Sequence, residues 1–404
     1  MTRSIVVIGA GAAGCMAAIF AAQQGARVLL LERMKDGGRK ILISGGGRCN
    51  VLPSQLSPSQ YFTTSSPNTL KKMLLSWPLA EQRRFFEQTL NIPLKLEAES
   101  GKLFPVSDKA RDVRDGLVDY AKQCGVRFQH NAYVMGLRSA GAGWRVQIEG
   151  GTEIEADRVI VATGGLSVPA TGSDGTGLRI LRKLGYTIHE VYPALTPLTC
   201  APPRHGELAG ISLEVTLQAD HLQARGGFLF THRGYSGPSV LNVSHVAVQS
   251  RMHGGERAVI RTQWTARSAD EWRKQLSAKG SATVGTIVKR ELPARLADAL
   301  LDEAQVDAQV TTSQLKKDER QRLVQVLTEY ALPWTGDEGY KKAEVTGGGV
   351  ALAEVDPKTM ESKRHSGLYL CGEVLDAFGP IGGYNFAWGW ATGRAAGLGA
   401  ARSD

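Results

Sequence analysis

The chain has 404 residues, too many for one small core, so two or three domains are expected. Its 42% hydrophobic and 22% charged residues are ordinary for a soluble globular protein, and no apolar run approaches the roughly 20 residues of a membrane span. The net charge is +9, but basic residues are scattered among acids with no long Lys/Arg block, which reads as a solvated surface and disfavours a nucleic-acid partner.

In chain order, Ser4 to Ile8 reads as a strand and Gly9-Ala-Gly11-Ala12-Ala13-Gly14 as a glycine turn. About Ala12 to Gln24 reads as a helix stopped by Gly25, and Val28 to Glu32 as a second strand closed by an acid. Gly9 permits the turn, Gly11 admits a close phosphate, and Gly14 lets helix and strand approach. The pyrophosphate of a dinucleotide then meets free N–H groups and the positive helix end. Glu32 lies eighteen positions beyond Gly14, near the usual separation of about twenty, and suits ribose hydroxyls while repelling the 2′-phosphate of NADP. The alternative is an ordinary βαβ unit with small residues at its turn.

Arg33, Gly37-Gly-Arg-Lys40 and Ser44-Gly45-Gly46-Gly47-Arg48-Cys49-Asn50 follow. Three adjacent glycines suit neither helix nor strand and suggest backbone lying against a ligand. Residues 53–67 read as loop, and 68–76 and 80–90 as helical. Ser107 is the expected N-cap of a helix carrying Val113, Leu117, Val118 and Ala121 on one side, ended by Gly125. Alternation at 132–138, 144–149 and 152–156 predicts a small antiparallel meander. Arg158 to Ala162 is a strand entering Thr163-Gly164-Gly165, and a helix follows at 176–184. Residues 191–263 alternate Pro/Gly turns with short β-like segments, and 269–331 carry helical patterns. After 340 the earlier style resumes: a strand at 367–371 enters Gly372-Glu373, and Gly382-Gly383-Tyr384-Asn385-Phe386 opens a helix reaching Ala400. The economical division is a dinucleotide-binding domain of 1–190 plus 341–404, interrupted by a β-rich part at 191–265 and a helical part at 266–340.

A glycine fingerprint alone separates neither FAD from NAD nor one enzyme from another. Five further stretches narrow the choice: Ser44 to Asn50, Gly101-Lys-Leu-Phe-Pro-Val-Ser107, Gly227 to Pro238, Ala343-Glu-Val-Thr-Gly-Gly-Gly-Val350, and Gly372-Glu-Val-Leu-Asp376 with its glycine-rich sequel. In these the chain resembles the HI0933-like flavoproteins, FAD-dependent oxidoreductases of the two-dinucleotide-binding type whose members include aminoacetone oxidases and bile-acid reductases. One departure is Val51-Leu-Pro53, where the family pattern continues with a hydroxyl and an amide. The resemblance implies an α/β, Rossmann-like FAD domain with inserted subdomains. It implies that Gly9, Gly11, Ala12, Ala13, Gly14, Glu32 and Arg33 serve the ADP half of FAD, and that Val134 touches adenine through its backbone. It implies that Lys40 and Ser44 to Asn50 lie along the isoalloxazine, and that Ala162, Thr163, Gly164, Gly372 and Glu373 serve the ribityl and pyrophosphate region. Gly382, Gly383, Tyr384, Asn385 and Phe386 would aim helix N–H groups at the pyrimidine edge, where reduced flavin is anionic.

Several of these residues have plainer alternatives. Arg48 can instead pair with a surface acid, and Cys49 can be an inert packed thiol. Trp388 and Trp390 read as packing. For acid–base work the candidates are His232, Arg233 and Tyr235 in the insertion and Tyr384 beside the glycine turn, with a structural role as the alternative for His232. Gly172-Ser-Asp-Gly-Thr-Gly177 has the wrong spacing for a second dinucleotide site. Electrons therefore come either from NAD(P)H docking transiently over the flavin or from the substrate. The five cysteines (Cys15, Cys49, Cys124, Cys200 and Cys371) are odd in number and contain no Cys-x-x-Cys, which argues against disulfides and zinc and for a cytoplasmic setting. The leading reading is an FAD-dependent oxidoreductase of a small molecule. A flavoprotein acting on RNA and a non-enzymatic flavin redox sensor are the alternatives. The oligomeric state is left open.

Overall fold

Four of the five residues of the first strand, Ser4–Ile8 (β1), are buried, as befits a strand covered on both faces. The computed structural model describes residues 2–252, 254, 256–278 and 280–402. It divides into two compact units, Met1–Pro193 with Glu344–Asp404, and Ala194–Ala343. Among the described residues no helix is long and apolar enough to cross a membrane.

In the first unit β1 is followed by the helix Ala12–Gln23 (α1) and the strand Arg27–Leu31 (β2). The strands Arg127–Gln129 (β3), Arg158–Val161 (β4) and Leu368–Leu370 (β5) complete a five-stranded parallel sheet ordered β5-β4-β1-β2-β3. Ile5 to Ile8 run beside Arg158 to Val161 on one side, and Ser4 to Ile8 beside Arg27 to Leu31 on the other. Because β1 leads to β2 on one side and β4 lies on the other, the strand order reverses between β1 and β4. The crevice at the carboxyl ends there is where open α/β sheets take ligands.

The last helix, Tyr384–Ala401 (α2), packs against α1. That approach depends on small residues: a Cβ on Gly393 would stand 2.4 Å from the Ala13 carbonyl oxygen, and one on Gly397 2.3 Å from that of Ala17. The strands Val134–Ala140, Gly143–Ile148 and Glu153–Ala156 form the expected antiparallel meander. The helix expected from Ser107 begins only at Ala110 and runs to Gln123; Asp108 adopts φ 55°, and Lys109, not Ser107, occupies the capping position. The helical pattern at 80–90 resolves into an α-helix, Leu79–Arg84, continued by a π-helical turn, Phe85–Thr89.

The second unit is built on a seven-stranded sheet whose paired neighbours are all antiparallel. Its longest strands are Ser212–Ala219 and Leu222–Thr231. Two corrections to the sequence reading appear here. A fifteen-residue helix, Pro238–Met252, lies inside the stretch read as β, and the short strands Tyr330–Ala331 and Gly336–Asp337 rejoin the sheet after the helical stretch. Phe228 and Phe230 from the sheet, and Trp264 just beyond the strand Ile260–Gln263, share one hydrophobic cluster with Trp272, Leu300 and Leu323 from the helices.

Candidate functional site

The crevice at the β1/β4 switch is lined by backbone. A Cβ on Gly9 would stand 2.6 Å from the Ala162 carbonyl oxygen, and one on Gly14 only 1.8 Å from the Gly9 carbonyl oxygen, so neither position tolerates a side chain. Above Gly11, by contrast, nothing lies within 4 Å of an added Cβ. Gly11 caps α1 without any side-chain hydrogen bond, leaving the positive helix end open toward that space. Gly372 comes close from the other side, where its Cβ would meet the Ala13 methyl at 2.8 Å. The structure therefore brings together Gly9 to Gly14, Ala162 to Gly164, and Gly372 with Glu373.

Glu32 is buried, and its carboxylate accepts the Ala10 N–H at 2.9 Å and the Met34 N–H at 2.8 Å. Burial raises its pKa, and the two backbone N–H groups oppose that rise. It thus braces the turn. Val134 is the first residue of its strand, and Ala132 just before it donates its N–H to the Glu32 carbonyl at 2.9 Å.

Lys40 and Glu373 form an ion pair at 2.7 Å, and Lys40 also donates to the Ser167 hydroxyl. Ser167 in turn donates to Glu373 Oε1 at 2.6 Å, and the Thr346 N–H reaches the same oxygen at 2.9 Å. Thr346 Oγ1 accepts the N–H groups of Leu166 and Ser167 at 2.8 and 3.1 Å. Ser167 and Thr346 had not been singled out from sequence. Thr346 lies in a quoted stretch but was overshadowed by its glycines, and nothing local marks Ser167.

The glycine loop is left-handed at Gly45, Gly46 and Gly47, with φ of 55°, 67° and 85°. The Ser44 hydroxyl is used locally, donating to the Ile41 carbonyl at 2.8 Å. Arg48 pairs with Glu97 at 3.0 Å and lies over the Phe104 ring at 4.0 Å. Cys49 is fully buried and burial pushes its thiol up to about 12, so it holds its proton at neutral pH. Asn50 Oδ1 is a buried acceptor without a protein partner, as are the Thr163 and Ser173 hydroxyls near Gly164.

At the start of α2, a Cβ on Gly383 would lie 2.5 Å from the Leu52 carbonyl carbon, and one on Gly382 3.2 Å from Lys102 Cε. The atypical Val51-Leu-Pro53 segment and Lys102, from the Gly101 to Ser107 stretch, therefore seat this turn. The Asn385 side chain clamps it, accepting the Gly379 N–H and donating to the Gly379 carbonyl, each at 2.9 Å. Phe386 stacks on Trp390. Trp390 donates to the Val51 carbonyl at 3.0 Å and Trp388 to that of Gly372 at 3.1 Å, so both indoles fix the loops around the crevice. The Tyr384 carbonyl accepts the Tyr61 hydroxyl at 2.6 Å.

His232, Arg233 and Tyr235 belong to the second unit. His232 and Arg233 are exposed at a hairpin turn, with Arg233 3.9 Å from Glu338. Tyr235 is a correction: it is enclosed in that unit's core, its hydroxyl 2.8 Å from His205 Nδ1 and donating to the Pro333 carbonyl. There it packs and is closed to any ligand.

The glycine cradle, the uncapped helix end and the buried acceptors without partners fit the phosphates and ribose of a dinucleotide such as FAD. The HI0933-like protein Rossmann domain matches residues 3–399. The ribosomal RNA dihydrouridine synthase of Escherichia coli is 34% identical over 96% of this chain and 95% of its own. A 3-dehydro-bile acid delta(4,6)-reductase of Clostridium scindens is 32% identical over 98% of each. The solved 3-ketosteroid-delta4-(5alpha)-dehydrogenase of Rhodococcus jostii shares the fold with a TM-score of 0.54 at 16% identity, over 99% of this chain and 97% of that one. The chain belongs to the HI0933-like family, flavin-dependent oxidoreductases with a Rossmann-type domain.

Proposed function

We propose that the protein is an FAD-dependent reductase of a carbon–carbon double bond conjugated to a carbonyl, and that its substrate is uridine in ribosomal RNA. The observation that carries this reading is the full-length relationship to a ribosomal RNA dihydrouridine synthase. The net charge of +9 agrees with a polyanionic substrate, although its scattered distribution had favoured a plain solvated surface. When bound, FAD supplies the hydride chemistry.

The chain's own residues hold and orient. The α1 end takes phosphate, and Glu32 takes ribose. The Lys40–Glu373–Ser167 network fixes an ammonium group in the crevice for the flavin side. The N–H groups after Gly383 would offer their positive dipole to negative charge on a bound flavin ring. Uridine becomes dihydrouridine by gaining one hydride and one proton. The two electrons come from NAD(P)H, and Tyr384 is the candidate proton donor.

The second reading, a small-molecule enone as substrate, is favoured by the bile-acid reductase relationship. Both relatives' names describe saturation of a double bond, so the choice lies in the substrate and leaves the chemistry unchanged. The test uses yellow, FAD-loaded protein under anaerobic conditions with NADH or NADPH, given either unmodified ribosomal RNA or 3-oxo-Δ4,6 steroids. Mass spectrometry of RNA digests should show uridine gaining two hydrogens. Turnover of the steroid with unaltered RNA would transfer the proposal to the second reading, and a protein that retains no FAD would end both.

A further inference from the structure

Arg33 directly follows Glu32, where a free guanidinium would be a natural partner for a 2′-phosphate. Here it is engaged. Its Nη1 pairs with Asp174 Oδ2 at 2.5 Å, and its Cζ lies 4.5 Å from the centre of the Tyr133 ring. Tyr133 is itself held, with its hydroxyl 2.7 Å from Thr176 Oγ1 and donating to Asp174 Oδ2 at 3.3 Å. Asp174 is fixed by the Thr176 N–H at 3.1 Å and the Thr176 hydroxyl at 2.7 Å, with Arg179 a further 3.8 Å neighbour. The loop carrying Asp174 reaches Arg33 through Gly172, at φ 108°, where a Cβ would stand 3.2 Å from Met34 Cγ and 3.5 Å from Arg33 Cδ. This is the Gly172 to Gly177 segment whose spacing rules out a second dinucleotide site.

Tyr133 covers one face of the guanidinium and Asp174 takes its edge. A third of the Arg33 side chain is still exposed, 33%. The segment leading to Val134 runs alongside, tied to Glu32 through Ala132. We infer that Arg33, Tyr133 and Asp174 form a platform for the adenine ring of FAD. The open face of the guanidinium stacks on the base. Asp174 and Tyr133 are positioning residues that hold it flat and withhold it from a 2′-phosphate. The inference rests on the FAD reading above and goes beyond it by assigning these two residues and the preference they impose.

The test compares the wild type with Asp174→Asn, Tyr133→Leu and Tyr133→Phe, using FAD release from the holoprotein followed by fluorescence. FMN binding to the deflavinated protein, and competition by ADP against 2′,5′-ADP, complete the set. Asp174→Asn and Tyr133→Leu should each weaken FAD about tenfold, equivalent to 1.4 kcal/mol, while FMN, which lacks the adenine, changes less than about twofold. Tyr133→Phe, which keeps the ring beneath Arg33, should stay near wild type. Asp174→Asn should also raise the relative affinity for 2′,5′-ADP, since the freed Arg33 can pair with the extra phosphate. Unchanged FAD retention in both Asp174→Asn and Tyr133→Leu, or equal weakening of FAD and FMN, overturns the inference. Should Asp174→Asn fail to fold, the contrast between Tyr133→Leu and Tyr133→Phe decides alone. A wild-type protein that binds neither flavin sinks the FAD reading instead.

Discussion

Glu354 shows how a single carboxylate can set acid stability in the first unit. Burial alone would raise its pKa. The Arg364 guanidinium, at 2.5 and 3.0 Å, and the Thr187 N–H, at 3.0 Å, more than offset this and hold it at about 2. A carboxyl depressed in the fold contributes stability above its unfolded value of 4.5, and that contribution is lost as pH falls toward about 2. Urea unfolding measured from neutral pH to pH 2 should therefore show a fall across that window, which Glu354→Gln flattens by being less stable already at neutral pH. Parallel curves for the two proteins would refute this. At this scale the sequence was legible where a close backbone approach demands glycine, as at Gly9 and Gly14. It was not legible where a role depends on distant partners. Nothing near Asn385 announces that its amide clamps Gly379, and nothing near Tyr235 announces His205, thirty positions away.

Among the elements, α1 and α2 depend on each other most plainly. Both are rich in alanine and glycine, and their backbones approach so closely that Gly393 faces the Ala13 carbonyl with no room for a methyl group. Gly393→Ala should cost about 1–3 kcal/mol in chemical denaturation, because the obstruction is backbone and cannot rotate away. Since Ala13 opens α1 beside the cofactor crevice, FAD retention should fall with it. A stability equal to the wild type would show that the helices separate freely. The helical stretches at 12–24 and 384–400 were readable because small residues and flanking glycines left few alternatives. Pro238–Met252 was not, since its valines Val240, Val243, Val246 and Val248 favour strands locally. Burial of Val240, Val243 and Val248 overrides that preference.

For the whole molecule, the boundaries at Pro193/Ala194 and Ala343/Glu344 divide two hydrophobic clusters, each with its own aromatic residues. A polypeptide of residues 194–343 should fold alone and unfold cooperatively, because its core draws on both its sheet and its helices. Far-UV circular dichroism on heating checks this, and a broad, non-cooperative decay would refute it. The change in sequence style near 190 and 340 was visible because glycine-turn chemistry stops and then resumes. What the sequence did not reveal was that the strand-rich and helix-rich halves of the interruption share one core.

The strand Ile188–Ala194 pairs with Val345–Val350 in a two-stranded ribbon of the first unit. The interrupting stretch thus departs and returns through adjacent strands, like a cassette clipped into paired terminals. Any folded segment whose two ends lie a strand's spacing apart meets the geometric demand of that socket.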